Sequence, residues 1–198
     1  MRELLRWLAL RNSAEIDDNT NKFGKRAEFN SAVHVLEKLG LVRRLRNIVA
    51  FERADAELKD KLFVRDTGLL HAMLGIVTRE QLAQHKAIGA SFESYAIEAL
   101  IASAGEGCSA QFYRFDNGQG EDEIDLILDL PSQRRSQIAI EFKVGPNKRA
   151  EPGFLRACTQ LGIAEQLVVH SGTDAVLDER IPRLDLRSAI RRIAEMAA

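Results

Sequence analysis

Apolar residues recur along this chain at two periods, helical near its start and alternating in its middle. Between Arg2 and Arg11, Leu4, Leu5, Trp7, Leu8 and Ala9 fall at helical spacing. A polar stretch from Asn12 to Lys22, rich in Asn and Asp, reads as a loop. Ala27, Phe29, Val33, Leu36 and Leu39 then mark a second amphipathic helix, stopped at Gly40. Leu41 to Phe51 has the pattern of a short hairpin: apolar Leu41-Val42, basic Arg43-Arg44, a turn near Arg46-Asn47, then Ile48-Val49-Ala50-Phe51. Helix, loop, helix and basic hairpin are the parts of a winged helix, although small helical bundles with a hairpin share them. Ala54 to Asp60, charged and weakly patterned, is the expected hinge.

After the hinge the period changes. Leu62-Phe63-Val64 reads as a short strand, and Thr67 to Leu74 as a helical turn or two behind an Asp66 cap. A longer helix is expected from Gly89 to Ser103, ended by Gly105-Glu106-Gly107. Strands follow at Ala110–Phe115, Ile124–Leu130 and Ile138–Val144, then a helix near Phe154–Gly162, the strand Gln166–His170 and a helix at Ser188–Ala197. This order predicts an α/β fold with a mixed central sheet flanked by helices. The expected domains are a winged-helix-like one over 1–53, a linker over 54–60 and the α/β one over 61–198.

Composition narrows the class without naming a function. With 198 residues, 45% of them hydrophobic and 29% charged, the chain can bury a substantial core. No apolar run approaches the ~20 residues that cross a bilayer, and the charged N-terminus lacks a small-residue cleavage site. A cytoplasmic protein without a membrane partner is therefore expected. Cys108 and Cys158 have no ligand spacing and fit a reducing compartment. The net charge is −1, yet residues 1–53 hold 11 Lys/Arg against 7 Asp/Glu. That mildly basic head permits nucleic-acid contact, with Arg43, Arg44 and Arg46 as candidates for the phosphate backbone. Lys148 and Arg149, just after the strand Ile138–Val144, are further candidates. The acidic run Glu121-Asp122-Glu123 reads as a solvated loop end, and the four histidines lack metal spacing.

The informative text is Glu123-Ile124-Asp125-Leu126-Ile127-Leu128, a turn, then Ile138-Ala139-Ile140-Glu141-Phe142-Lys143. Side chains alternate across a strand, so Glu141 and Lys143 leave one face, about 7 Å apart. If the two strands form an antiparallel hairpin, Asp125 can lie across from Glu141, while Ile124 and Leu126 point away. Two carboxylates close together repel, which raises one pKa or recruits a cation. Oxygen ligands select hard ions, so Mg2+ or Mn2+ is the expected cofactor, able to polarise a phosphodiester and activate water. A lysine beside it can hold or help deprotonate that water and offset transition-state charge. Asp125, Glu141 and Lys143 are thus the candidate catalytic residues.

At these residues the chain resembles the PD-(D/E)xK phosphodiesterase superfamily, with its Asp on one strand and Glu-x-Lys on the next, in a restriction-endonuclease-like fold. The resemblance implies that an acid on the preceding helix completes the metal site. Glu93, in Ser91-Phe92-Glu93-Ser94-Tyr95, occupies that position, with Glu98 a weaker substitute. Ile124 stands where the superfamily's name places Pro. A broader resemblance rests on Leu39 to Leu45, Lys61 to Leu70, Gly89 to Tyr95, Phe112-Tyr113-Arg114 and Glu123-Ile124-Asp125. These look like the C-terminal module of predicted bacterial and archaeal AAA+ ATPases, a domain of unknown function with a nuclease-like fold behind a winged helix. A phosphate-binding loop is missing: Gly24-Lys25 is followed by Arg26, with Asn19 in place of the first glycine. No ATP hydrolysis by these residues is expected. The resemblance implies metal-dependent binding of nucleic acid, DNA cleavage included, or a non-catalytic docking module with idle carboxylates. Its implied partners are DNA, an AAA+ ATPase, or a second copy of the chain.

Overall fold

The computed structural model describes residues 1–16, 22–48, 59–116, 118, 120–131, 136–173, 175 and 180–198. The chain divides into two compact units, Met1–Arg46 with Leu58–Tyr95, and Asn47–Glu57 with Ala96–Ala198.

The first unit is built on helices α1 (Arg2–Ala9) and α2 (Arg26–Lys38), as their apolar spacing predicts. Leu4, Leu5, Trp7 and Leu8 of α1 meet Phe29, Val33 and Leu36 of α2 in one core. Trp7 takes Phe23 and Phe29 edge-on at 5.8 and 5.7 Å, a geometry that matches ring edge to ring face. Gly40 follows α2 with φ +69, a left-handed turn that glycine adopts without strain.

Strand β1 (Val42–Asn47) runs straight through the expected turn at Arg46-Asn47. Its antiparallel partner is β2 (Lys61–Val64), with Val42 opposite Val64 and Leu45 opposite Lys61. The second arm of the expected hairpin, from Val49 onward, lies outside the described residues. The reason for the difference is burial: all four residues of β2 are buried, and Leu62 and Val64 join the core of α1 and α2. The strand expected to open the α/β domain is therefore part of the helical one. Helix α3 (Thr67–Leu74) follows, with Asp66 accepting the Leu69 N–H at 2.6 Å as the expected cap. Its Leu70 also enters the first core. A short helix, α4 (Arg79–Gln84), was not anticipated; Thr78 caps it.

Asn12, read from sequence as loop, is instead a buried junction. It donates to Ser94 Oγ at 2.7 Å and Ala90 O at 3.1 Å, and accepts the Val64 N–H at 2.8 Å. One amide side chain thus ties the end of α1 to β2 and to the start of α5 (Ile88–Ala104).

The second unit carries the sheet. Strands β3 (Ser109–Asp116), β4 (Glu121–Leu130) and β5 (Ser136–Lys143) are antiparallel neighbours. Strands β6 (Glu165–His170) and β7 (Arg183–Asp185) extend it in parallel from β5. Helix α6 (Pro152–Leu161) packs on β4, and α7 (Leu186–Ala197) on β6 and β7. The architecture is α/β with a mixed sheet flanked by helices, as the order of periods predicts. Among the described residues no helix is long and apolar enough to cross a membrane.

The sheet runs on past the expected strand ends. Glu121-Asp122-Glu123, read as a solvated loop end, begins β4. Asp122 is buried, with Arg156 of α6 at 2.7 Å. That ion pair needs α6 close to the strand, and Gly153 permits it. A Cβ there would stand 2.3 Å from the Glu121 carbonyl oxygen, a backbone atom that cannot swing aside. Gly153→Ala is therefore expected to cost about 1–3 kcal/mol in chemical denaturation. Gly89→Ala, where a Cβ meets nothing within 4 Å, should be neutral or stabilising by up to about 1 kcal/mol. Equal effects at the two positions would rule out the close approach as the cause.

Candidate functional site

Strands β4 and β5 pair with Leu126 opposite Ile140. The ladder ends at that pair, and Asp125 and Glu141 are the next residues along the two strands. The alternation around Asp125 is broken, however. On β3, Gln111 pairs with Ile127 and Tyr113 with Ile124, so three steps along β4 match two along β3. The extra residue falls within Asp125-Leu126, a bulge of the kind that re-aims side chains. Ile124 consequently joins Ile127, Ala139 and Phe154 in the cluster beneath α6 instead of pointing away. Asp125 turns its Oδ2 onto the Phe142 N–H at 2.8 Å.

Glu141 is buried, and its two oxygens have separate partners. Oε1 meets Lys143 Nζ at 2.6 Å, and Oε2 accepts the Glu151 N–H at 3.0 Å. Glu151 is the residue just before the first turn of α6, so Glu141 takes an amide at the positive end of that helix. The Glu151 carboxylate in turn ion-pairs with Lys143. Burial pushes the Glu141 carboxyl above its usual range, and Asp125 adds to the push. Lys143 and the Glu151 N–H pull the other way without cancelling it. For Lys143, burial opposes the charge, but hydrogen bonds to Glu141 and Glu151 outweigh it and raise the pKa. Lys143 is thus held as a cation between two carboxylates.

The structure brings Asp125, Glu141 and Lys143 together, and adds Glu151, which sequence reading passed over. The available signal was Glu151-Pro152: an acid before a proline is a helix start. Gln160, also on α6, accepts the Tyr113 hydroxyl at 3.2 Å. Glu93 lies in the first unit, where it pairs with buried Lys61 at 3.8 Å. Among the described residues no group of three or more His, Cys, Asp or Glu side chains is placed to hold a metal ion. The hard-oxygen chemistry of Asp125 and Glu141 fits a divalent cation, with Lys143 now balancing the charge of Glu141.

The basic candidates separate as well. Arg44 is held by Glu37 at 3.2 Å and Asp60 at 3.1 Å. Burial works against its charge, and these carboxylates raise its pKa regardless. Arg46 is exposed and Arg43 half-buried, while Lys148 and Arg149 are exposed ahead of α6.

Among proteins of known sequence, the profile of a domain of unknown function (DUF4143) matches residues 88–187, and that of a second such domain (DUF8612) matches residues 1–80. Uncharacterized proteins of Mycobacterium tuberculosis and Mycobacterium bovis are each 28% identical over 130 residues, covering 66% of this chain. The chain spans 27% of the length of these relatives. A solved chain in an assembly of Thermococcus gammatolerans McrB AAA+ hexamers with bound McrC is similar over 100% of this chain and 76% of its own length. Its identity is 10% and its TM-score 0.37.

Two outcomes check this geometry. Removing the cation from a buried pair leaves a charge without compensation, so Lys143→Met should cost about 3–5 kcal/mol in chemical denaturation. Adding Glu141→Gln should return much of that. A folded-state carboxyl pKa above the unfolded value means that stability is gained as pH falls through it toward about 4.3. The Lys143→Met protein should therefore gain on mild acidification relative to wild type; parallel pH profiles would refute the pairing. Separately, burial and the nearby Glu141 push the Cys158 thiol up to about 12. In native protein at neutral pH a thiol reagent should label Cys108 and reach Cys158 only on unfolding; rapid labelling of both would contradict the packing under α6.

Proposed function

The chain belongs to the DUF4143 family, and from the geometry of its acid and lysine cluster we propose a nuclease-like module that binds nucleic acid with a divalent cation. In this reading it shares the PD-(D/E)xK arrangement, and DNA phosphodiester cleavage is the activity it would support. The observation that carries it is the convergence of Asp125, Glu141 and Lys143 where the pairing of β4 with β5 ends. Mg2+ or Mn2+ held by Asp125 and Glu141 would polarise a phosphodiester and lower the pKa of bound water. Lys143, charged at neutral pH, offsets the negative charge that grows on a phosphate under attack. Ile127 and Ala139, beneath α6, keep water from the flank of the site and so strengthen its electrostatics. Glu93 is left out of the ligand set because it pairs with Lys61.

A second reading is favoured by one observation: both oxygens of Glu141 are already satisfied within the protein. A neutralised cluster of this kind suits a non-catalytic docking module whose carboxylates hold α6 in place. In either reading the chain works beside an AAA+ ATPase, as its motif order suggests, and contributes no ATP hydrolysis of its own.

The test is cleavage of linear, nicked and single-stranded DNA with Mn2+, comparing wild type with Glu141→Ala. The nuclease reading expects wild-type cleavage that EDTA abolishes and that Glu141→Ala lowers by about 100-fold or more, on the order of effects at groups stabilising transition-state charge. No cleavage, together with no Mg2+ heat in calorimetry, would leave the docking reading standing.

A further inference from the structure

Lys143 stands between two carboxylates that are held very differently. Its inner partner is Glu141 Oε1 at 2.6 Å, and both side chains are nearly out of water, Glu141 7% and Lys143 12% exposed. Glu141 is also fixed through its other oxygen, by the Glu151 N–H at 3.0 Å. The outer partner is the Glu151 carboxylate, whose side chain is 70% exposed. The inner carboxylate cannot leave without stranding a buried charge. The outer one can, because water takes over its hydrogen bonds and an exposed ion pair contributes little to stability. Only a side chain has to move. The Glu151 backbone stays bonded to Glu141, and the loop before it, residues 144–150, is pinned near its start. There the Gly145 N–H donates to Ser171 Oγ at 3.0 Å, and the Pro146 carbonyl accepts from Arg183 at 3.1 Å. The same loop carries Lys148 and Arg149, both exposed.

We propose that the Glu151 carboxylate is an exchangeable internal ligand of Lys143, holding the place of a phosphate oxygen until a nucleic-acid strand displaces it. Resting on the reading of this cluster as a nucleic-acid site, the exchange makes Glu151 the residue that sets the affinity of that site. The outer side of the Lys143 ammonium already accepts a charged oxygen, and a phosphate oxygen makes the same charge-assisted hydrogen bond. A carboxylate on the chain competes with any such ligand, since two anions cannot occupy one side of one ammonium. The competition also selects for length. A lone phosphate gains a single contact in the exchange and displaces one of equal kind. A strand gains more, because further phosphates can meet Lys148 and Arg149, five and six positions after Lys143, while one replaces Glu151. The displaced carboxylate turns into water, where its charge costs nothing to keep.

The experiment is fluorescence anisotropy in EDTA with a labelled DNA oligonucleotide of about 20 nucleotides, single-stranded and as a duplex. Glu151→Gln removes the competing charge and keeps the N–H on Glu141; Glu151 makes no side-chain cap bond to α6, so the helix should be undisturbed. On whichever form binds more tightly, this variant should gain about fivefold over wild type, or about 1 kcal/mol. The gain has to depend on Lys143. In a Lys143→Met/Glu141→Gln background, adding Glu151→Gln should change affinity by less than about twofold. A fivefold gain there would show that loss of any carboxylate suffices, and overturns the proposal. Glu165→Gln, which removes another exposed carboxylate of the same unit, should likewise stay within about twofold of wild type. If melting shows that the Lys143→Met background does not fold, amine acylation of Lys143 replaces it. DNA should then slow labelling of Lys143 in Glu151→Gln at least about threefold, and unchanged labelling overturns the proposal. It is overturned as well by equal affinities of wild type and Glu151→Gln, by no binding in either, or by the same gain with polyglutamate in place of DNA. Cleavage with Mn2+ but no gain from Glu151→Gln removes this inference alone. A gain without cleavage or Mg2+ heat removes the metal-dependent nuclease reading and leaves the exchange at Lys143 standing.

Discussion

Burying Glu141 beside Lys143 is the constraint around which the second unit is arranged. A carboxylate nearly out of water needs a cation and hydrogen-bond donors in fixed places. The cation is two residues along the same strand, at 2.6 Å, and the donor is the N–H of Glu151 at the start of α6. That requirement fixes where α6 begins. The helix in turn covers β4 closely enough that Gly153 has no room for a side chain and Arg156 reaches buried Asp122. The same ion pair thus sets the candidate site and the packing of the helix above it.

The two compact units divide the electrostatic work. In the second, opposite charges are concentrated and matched: Glu141 with Lys143, Lys143 with Glu151, Asp122 with Arg156. In the first, Arg44 binds two carboxylates at once, Glu37 at 3.2 Å and Asp60 at 3.1 Å. In both places a cation shared between two carboxylates keeps its charge although it is partly out of water.

Much of this was legible in the pattern of residues. The helical spacing in Arg2–Ala9, Arg26–Lys38 and Thr67–Leu74 is local, and the structure returns those helices almost to the residue. The alternation through β4 and β5, with a two-residue offset between Glu141 and Lys143, was enough to place the central cluster. Less legible was anything that depended on a distant partner. The expected turn at Arg46-Asn47 failed because β1 pairs with β2, a strand that begins only at Lys61. Asn12 looked like a loop residue because its three partners, Val64, Ala90 and Ser94, lie far along the sequence. The bulge at Asp125-Leu126 leaves no trace in composition at all.

Taken alone, the sequence determined the longer helices and strands, the α/β order and which acids and lysine stand close along β4 and β5, because periodicity and residue chemistry are properties of neighbours. Only the tertiary structure decided which strand β1 joins, how Asp125 is turned, that Glu151 completes the charge network, and that Arg44 is spent on Glu37 and Asp60. Those outcomes depend on burial and on partners brought from far along the chain, and the free energy of a buried charge belongs to its surroundings instead of to its place in the sequence.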